Sequence, residues 1–154
     1  MNFFRSISQY LSNLFVPLSS ANTDVVLRVV NRTRQAVLAE RMDVANTSAK
    51  RRKGLLGHTQ LLPGEGLWIR PCESVHTFGM RFSIDIIYLD RQFRIKKTRS
   101  SVPPWRMSAC LSANSVIELP AGTLQASLTE PGDQLEFTPV STTRNGTGDS
   151  LAGA

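Results

Sequence analysis

The chemistry this sequence could support rests on few residues. His76 and Asp85 stand in the run VHTFGMRFSIDIIYLD, Val75 to Asp90. Histidine suits general acid or base work near neutral pH and is the commonest metal ligand. Asp85 is set among aliphatic residues, and a carboxylate buried there costs several kcal/mol, on the order of the transfer penalties, unless it is paired or hydrogen-bonded. Two purposes fit it. One is a structural ion pair with Arg81 or with a basic residue of a neighbouring strand, and the other is a site carboxylate acting with His76.

Cys72 lies four residues before His76, and Cys110 lies further on. A loose Cys72–His76 nucleophilic pair can be drawn. The sequence has no paired C-x-x-C, no H-E-x-x-H, and too few cysteines and histidines for a four-ligand zinc set, so neither a metal nor a cofactor is expected. His58, beside Gly57, reads more simply as a favourable cation near a helix C-terminus. In Val102-Pro103-Pro104-Trp105-Arg106 the double proline enforces a rigid loop outside any sheet. That loop presents Trp105 either to a binding partner or as a cover over an open barrel end. Glycine-rich phosphate loops, a G-x-S-x-G elbow and the aromatic RNA-binding motif are absent.

These residues must be placed by strands. In the run Phe82 to Asp90 side chains alternate between faces, with Phe82, Ile84, Ile86 and Tyr88 on one and Ser83, Asp85, Ile87 and Leu89 on the other. Upstream, Val25–Asn31 and Ala36–Ala45 read as a hairpin closed by the polar turn Arg32 to Gln35. Asn46 or Thr47 can cap a helix that runs through Lys50, Arg51, Arg52 and Lys53, buries Leu55 and Leu56, and stops at Gly57. Further strands are expected at GLWIR, in Phe93 to Val102 after the turn DRQ, in SVIELPAG and in QLEF, with a helical turn or two at Thr123 to Leu128. The fold class that follows is α+β and β-rich: a compact barrel-like or rolled mixed sheet of about seven short strands with two short helices.

Length and composition bound the rest. A chain of 154 residues with 41% hydrophobic and 19% charged residues is expected to hold one globular domain, residues 24–138. Residues 1–23 are expected to be an N-terminal amphipathic segment or a weak secretion signal, and residues 139–154 a disordered tail. A cytoplasmic location is the favoured reading, with a secreted or periplasmic one following if the N-terminus is a signal. The net charge of +6 is concentrated: Arg28 to Arg106 holds sixteen Lys and Arg against six Asp and Glu. A basic patch of Lys50, Arg51, Arg52, Lys53, Lys96, Lys97 and Arg99 is either an ordinary solvated face or a surface for an anionic ligand, with nucleic acid the less favoured partner.

Taken in order, Gly54-Leu55-Leu56-Gly57, Gly64 to Ile69, Ser74 to Met80, Ile84 to Asp90, Val102 to Trp105, Glu118 to Thr123 and Pro131-Gly132-Asp133 resemble the domain of unknown function 192 family. The resemblance spans Val26 to Phe137. It implies a β-rich domain of bacteria and archaea without a settled activity. It also points to His76, Phe78, Met80, Asp85, Pro103, Pro104, Glu118, Pro120, Gly122 and Thr123 as the recurring motif. Many relatives have tryptophan where Gly79 stands, and an asparagine-threonine turn where this chain has Arg81-Phe82. Some carry a secretion signal or a lipoprotein start.

The functional expectation is a non-catalytic binding or accessory module, with His76, Phe78, Met80, Asp85, Glu118 and the Pro103-Pro104-Trp105 loop around one recognition surface. Its ligand or protein partner is unknown. The alternative is a hydrolase or transferase acting on an anionic or carbohydrate-like substrate through His76 and Asp85. A second alternative is nucleic-acid binding through the basic front.

Overall fold

The computed structural model describes residues 25–140; the expectations for residues 1–23 and for residues 141–154 of the tail lie outside them, while Pro139, expected in that tail, pairs with Leu27 at the end of a strand. Nine strands and two short helices follow one another: β1 (Leu27–Asn31), β2 (Ala36–Ala45), α1 (Ser48–Lys53), β3 (Glu65–Ile69), β4 (Ser74–His76), β5 (Ile84–Leu89), β6 (Ile95–Val102), β7 (Met107–Ala109), β8 (Ser115–Pro120), α2 (Thr123–Ser127) and β9 (Leu135–Pro139). Seven strands make one sheet in the order β6-β5-β8-β3-β2-β1-β9, and β4 and β7 form a separate two-stranded ribbon. The expected β-rich α+β class is what the chain adopts.

The sheet curls until its edges meet at one end. The Ile95 amide donates to the Asp133 carbonyl at 2.9 Å, and Gly132 N–H returns a bond to the Ile95 carbonyl at 2.8 Å. Asn31 reinforces this closure, its side-chain amide reaching Thr129 Oγ1 and Asp133 Oδ2, both at 2.9 Å.

Helix α1 is capped as its sequence suggests, with Lys50 N–H donating to Thr47 Oγ1 at 3.2 Å. It ends sooner than expected. Gly54 turns the backbone to a φ of 47°, a conformation glycine adopts without a Cβ clash, so Leu55 packs into the core from a loop rather than from the helix. His58 accordingly sits beyond the helix terminus, and the dipole role expected for it does not arise. The β2–α1–β3 segment is a crossover, because β2 and β3 pair in parallel from Arg41↔Glu65 to Ala45↔Ile69. Gly66 lies at a close approach in this pair: a Cβ there would stand 2.6 Å from the Met42 methyl group.

The period-2 alternation of β5 divides the core in two. Ile87 and Leu89 join Trp68, Ile117 and Leu119 on the inner face of the curl, while Ile84, Ile86 and Tyr88 join Val116, Val75 and Leu55 on the other, beneath the β4–β7 ribbon. Trp68 stacks on Phe137 at 4.4 Å and meets Phe93 edge-on at 5.8 Å, filling the inner core.

Asp85 belongs to the inner face and is fully buried. Its partners are backbone amides and a hydroxyl, where the sequence suggested Arg81 or another base. Ser101 N–H donates to Oδ1 at 2.7 Å, Ser100 Oγ approaches Oδ1 at 3.5 Å, and Leu124 N–H donates to Oδ2 at 2.8 Å. The register of β5 on β6 slips between Ile84↔Val102 and Ile86↔Arg99, so Ser100 and Ser101 together oppose Asp85 in a β-bulge, with Ser101 at a φ of 48°. One carboxylate thus holds the bulge and caps α2, whose own N-cap, Gly122, has no side chain to do so.

Removing that acceptor strands two amides in the interior. Asp85→Ala is expected to lower stability by about 2–6 kcal/mol, at about 1–3 kcal/mol for each of the two unsatisfied groups. His76→Ala, on the exposed ribbon, is expected to stay within about 0.5 kcal/mol of the parent. Urea unfolding of both variants checks this through the midpoint at constant slope.

Candidate functional site

The ribbon and α1 wall a cleft of about 560 Å³ on the outer side of the sheet, whose lining includes Arg51, Cys72, His76, Met80 and Glu118. Glu118 comes from the middle of β8, paired with Leu67 on one side and Ile86 on the other, so its carboxyl group rises between aliphatic neighbours. It is 3% exposed, and no protein donor reaches Oε2. Among the described residues Trp68 Nε1, Tyr88 Oη and Ser108 Oγ also lack a buried partner. The Tyr88 and Ser108 hydroxyls are neighbours without an aligned bond. None of these three residues lines the cleft, and Glu118 does.

Burial raises the Glu118 carboxyl to about 7, because the charged form loses hydration among its aliphatic neighbours. At neutral pH the group is therefore poised between a hydrogen-bond donor and an anion. That makes it the most chemically tuned side chain in the cleft, and one the sequence flagged only through its place in the family motif.

Burial pushes the Cys72 thiol up, and its Sγ donates to the Ser74 carbonyl at 3.1 Å, so the thiol form is favoured over the nucleophilic thiolate. The His76 ring stacks on Phe78 at 5.1 Å, and Phe78 meets Trp105 at 5.9 Å. His76 and Asp85 do not converge: His76 borders the cleft, and Asp85 is spent on the bulge and α2 across the sheet. Met80 is buried in the cleft wall.

Thr77, 1% exposed, ties the Pro103–Arg106 loop to the ribbon. Its hydroxyl donates to the Pro103 carbonyl at 2.8 Å and accepts from Arg106 N–H at 2.9 Å, while Trp105 N–H donates to the Thr77 carbonyl at 3.0 Å. Trp105 is thereby held at a φ of 63° with its indole 66% exposed, so the rigid loop expected from Pro103 and Pro104 presents this ring to solvent and covers no barrel end.

The basic residues divide into two places. Arg51, Arg52 and Lys53 line the cleft from α1, which also carries Lys50. Arg51 is anchored by bonds from its guanidinium to the Asn46 and Arg70 carbonyls, at 3.0 and 3.3 Å. Lys96, Lys97 and Arg99 lie on β6, an edge strand separated by β5, β8 and β3 from the β2 strand that α1 contacts. Lys97 Nζ is bonded to the Ala109 carbonyl at 2.7 Å and lies over the Tyr88 ring. Among the described residues no three of His, Cys, Asp and Glu gather as a metal-binding group, and no helix is long and apolar enough to cross a membrane.

Comparison with known proteins agrees with this architecture. The family model DUF192, described as an uncharacterised ACR, matches residues 29–137. The UPF0127 protein of Thermococcus sibiricus is 30% identical over 118 residues, covering 71% of this chain and 73% of its own length. That of Thermococcus kodakarensis is 29% identical over 120 residues, with 73% and 74% covered. A solved structure of a candidate transcription regulator from Sinorhizobium meliloti superposes with a TM-score of 0.66 at 18% identity, over 78% of this chain and 98% of its own. A protein of unknown function from Novosphingobium aromaticivorans gives 0.64 at 21% identity, over 79% and 92%. At such identities the two structures speak for the fold alone.

The Glu118 environment has a signature in stability. Below about pH 4.5 the folded and unfolded chains both hold this proton; as pH rises the unfolded chain releases it first, and the folded chain keeps it until about 7. Glu118 therefore costs stability progressively across that window and continues to do so above it. Glu118→Gln, which has no such proton, is expected to match the parent near pH 4 and to exceed it at pH 8 by on the order of 3 kcal/mol. Urea unfolding of both proteins at a series of pH values checks it; a gap independent of pH would contradict the assignment.

Proposed function

This chain belongs to the DUF192 family of uncharacterised proteins, and from that premise we propose that it is a small-ligand-binding domain whose site is the cleft over Glu118. The observation that carries this reading is that Glu118, which lines the cleft, has a buried Oε2 without a protein partner. A buried acceptor without a donor costs about 1–3 kcal/mol, and a ligand hydroxyl or amine entering the cleft removes that cost on binding. Arg52 and Lys53 stand on the α1 wall, so the ligand that fits pairs a hydrogen-bond donor with an anionic group. Few convergent polar groups in a partly apolar cleft are the ordinary make-up of a small-molecule site.

Catalysis is the second reading, favoured by one observation: burial has raised Glu118 to about 7, where a carboxyl group can exchange protons at physiological pH. His76, stacked on Phe78, then serves orientation. The two readings separate on a single substitution. Glutamine keeps the shape and hydrogen-bonding capacity of the neutral acid but cannot carry the proton. Glu118→Gln retains affinity in both cases and abolishes turnover in the second only.

The test uses methyl NMR of the full chain with D-galacturonate, phosphoserine and glycerol 3-phosphate, each of which carries both groups. At least one is expected to shift the Leu55, Ile69, Val75 and Met80 methyl signals at millimolar concentration or below. Glu118→Leu is expected to weaken that binding about tenfold or more, because the ligand donor is then left without an acceptor in the cleft, at about 1–3 kcal/mol per unsatisfied group. If none of the three shifts these methyls, or if Glu118→Leu binds as the parent does, the cleft is not the site.

A further inference from the structure

We infer that His76, Phe78 and Trp105 form a stacking shelf for an acidic oligosaccharide whose terminal unit enters the Glu118 cleft. The inference deepens the cleft reading for that terminal unit, while the shelf itself rests on separate observations.

The rings succeed one another outward from the cleft wall. His76 lines the cleft, Phe78 follows at 5.1 Å with its plane inclined by 21°, and Trp105 follows at 5.9 Å with an inclination of 32°. The first pair is stacked and the second tilted, so the three rings follow one another as a contiguous aromatic surface. Met107, paired across the ribbon with His76 and 71% exposed, extends the apolar surface alongside.

Folding does not account for this display. An indole left 66% exposed contributes little burial, and holding a tryptophan in the left-handed region costs on the order of 1–3 kcal/mol. The buried Thr77 knot commits four hydrogen bonds to fixing the loop in that conformation, the fourth from Thr77 N–H to the Arg106 carbonyl at 2.9 Å. Strain kept in place by its surroundings, in order to expose an aromatic ring beside a cleft, is the pattern of a binding surface.

The charge around the shelf selects the ligand class. Aromatic faces carry negative π density and attract the weakly positive C–H bonds of a pyranose ring. Glu73 and Glu118 line the cleft to which the shelf leads, and both suit sugar hydroxyls as hydrogen-bond acceptors. A nucleic acid needs a cationic track along its whole backbone. The cations that line the cleft, Arg51, Arg52 and Lys53, all come from α1, and Arg106 stands beside Trp105 on the shelf. Cations grouped in this way suit a carboxylated sugar, and the rest of the site suits its neutral hydroxyls.

The two tryptophans make the test direct, because Trp105 is exposed and Trp68 is 1% exposed and serves as an internal reference. The full chain is titrated with trigalacturonate, with the neutral cellotriose and with a short oligothymidylate, and Trp emission and the cleft methyls are followed together. Trigalacturonate is expected to shift the Trp105 emission to the blue, saturably and about tenfold more tightly than cellotriose. Trp105→Ala should abolish the emission change, and Phe78→Ala should weaken it, both with an unchanged thermal midpoint. The proposal is overturned if no saccharide shifts the emission, if cellotriose binds as well as trigalacturonate, or if only oligothymidylate acts, which would mark a single-stranded nucleic-acid surface. Methyl shifts from D-galacturonate without any Trp105 response would leave the cleft reading standing and sink this one. A Trp105 response without methyl shifts would do the reverse for the cleft and deny the terminal unit its place there.

Discussion

The Asp85 carboxylate is the contact on which the architecture depends. It sits in the middle of a strand with apolar neighbours on both faces, where an unpaired charge would be expelled, and it collects amide donors from two elements far apart in sequence. Ser101 N–H brings the bulge of β6 to it, and Leu124 N–H brings the first turn of α2. The bulge bends the β6 edge, and α2 lies against β2 near the inner core. A five-residue helix cannot persist on its own propensity, so its existence depends on that cap and on the burial of Leu124.

Glu118 is the counterpart of Asp85 on the opposite face of the same sheet. The two strands that carry them pair in antiparallel register, Asp85 against Leu119 and Ile86 against Glu118, so adjacent positions deliver one carboxyl inward and the other outward. Both are buried in aliphatic surroundings, yet their energetics diverge. Asp85 is repaid by three donors, whereas Glu118 has none at Oε2 and responds by holding its proton to about 7. The contrast separates a carboxyl used by the fold from one left to interact with something else.

The β4–β7 ribbon adds the second half of the site. Val75 anchors it to the outer core, and the short ribbon carries His76 and Met107 outward. Thr77 then converts a proline-stiffened loop into a fixed extension of the ribbon, so that rings separate in sequence form one continuous surface. A neutral-tuned acid, a basic wall and an aromatic shelf thereby meet on one side of the sheet, while the opposite side is given to Trp68 and its aromatic partners.

Much of this was legible from local pattern. The β1–β2 hairpin, the Thr47 cap of α1, the two-faced alternation of β5, the rigidity of the Pro103-Pro104 loop and the family motif all follow from short-range chemistry, because turn residues, caps and period-2 alternation act over a few positions. Local pattern also marked Asp85 as a carboxyl that needed an explanation. The three-residue β7 was too short to show a periodicity, and the end of α1 at Gly54 was hidden by the apolar pair Leu55-Leu56, whose burial is tertiary. Which carboxyl faces which cleft could not be read from composition or spacing. It depends on β8 lying between β5 and β3, a pairing of strands distant in sequence that puts Glu118 rather than Asp85 on the side of His76. Local chemistry thus sets the elements and their two-faced character, whereas the candidate site emerges only with the fold, since long-range strand order sets which side chains share a face.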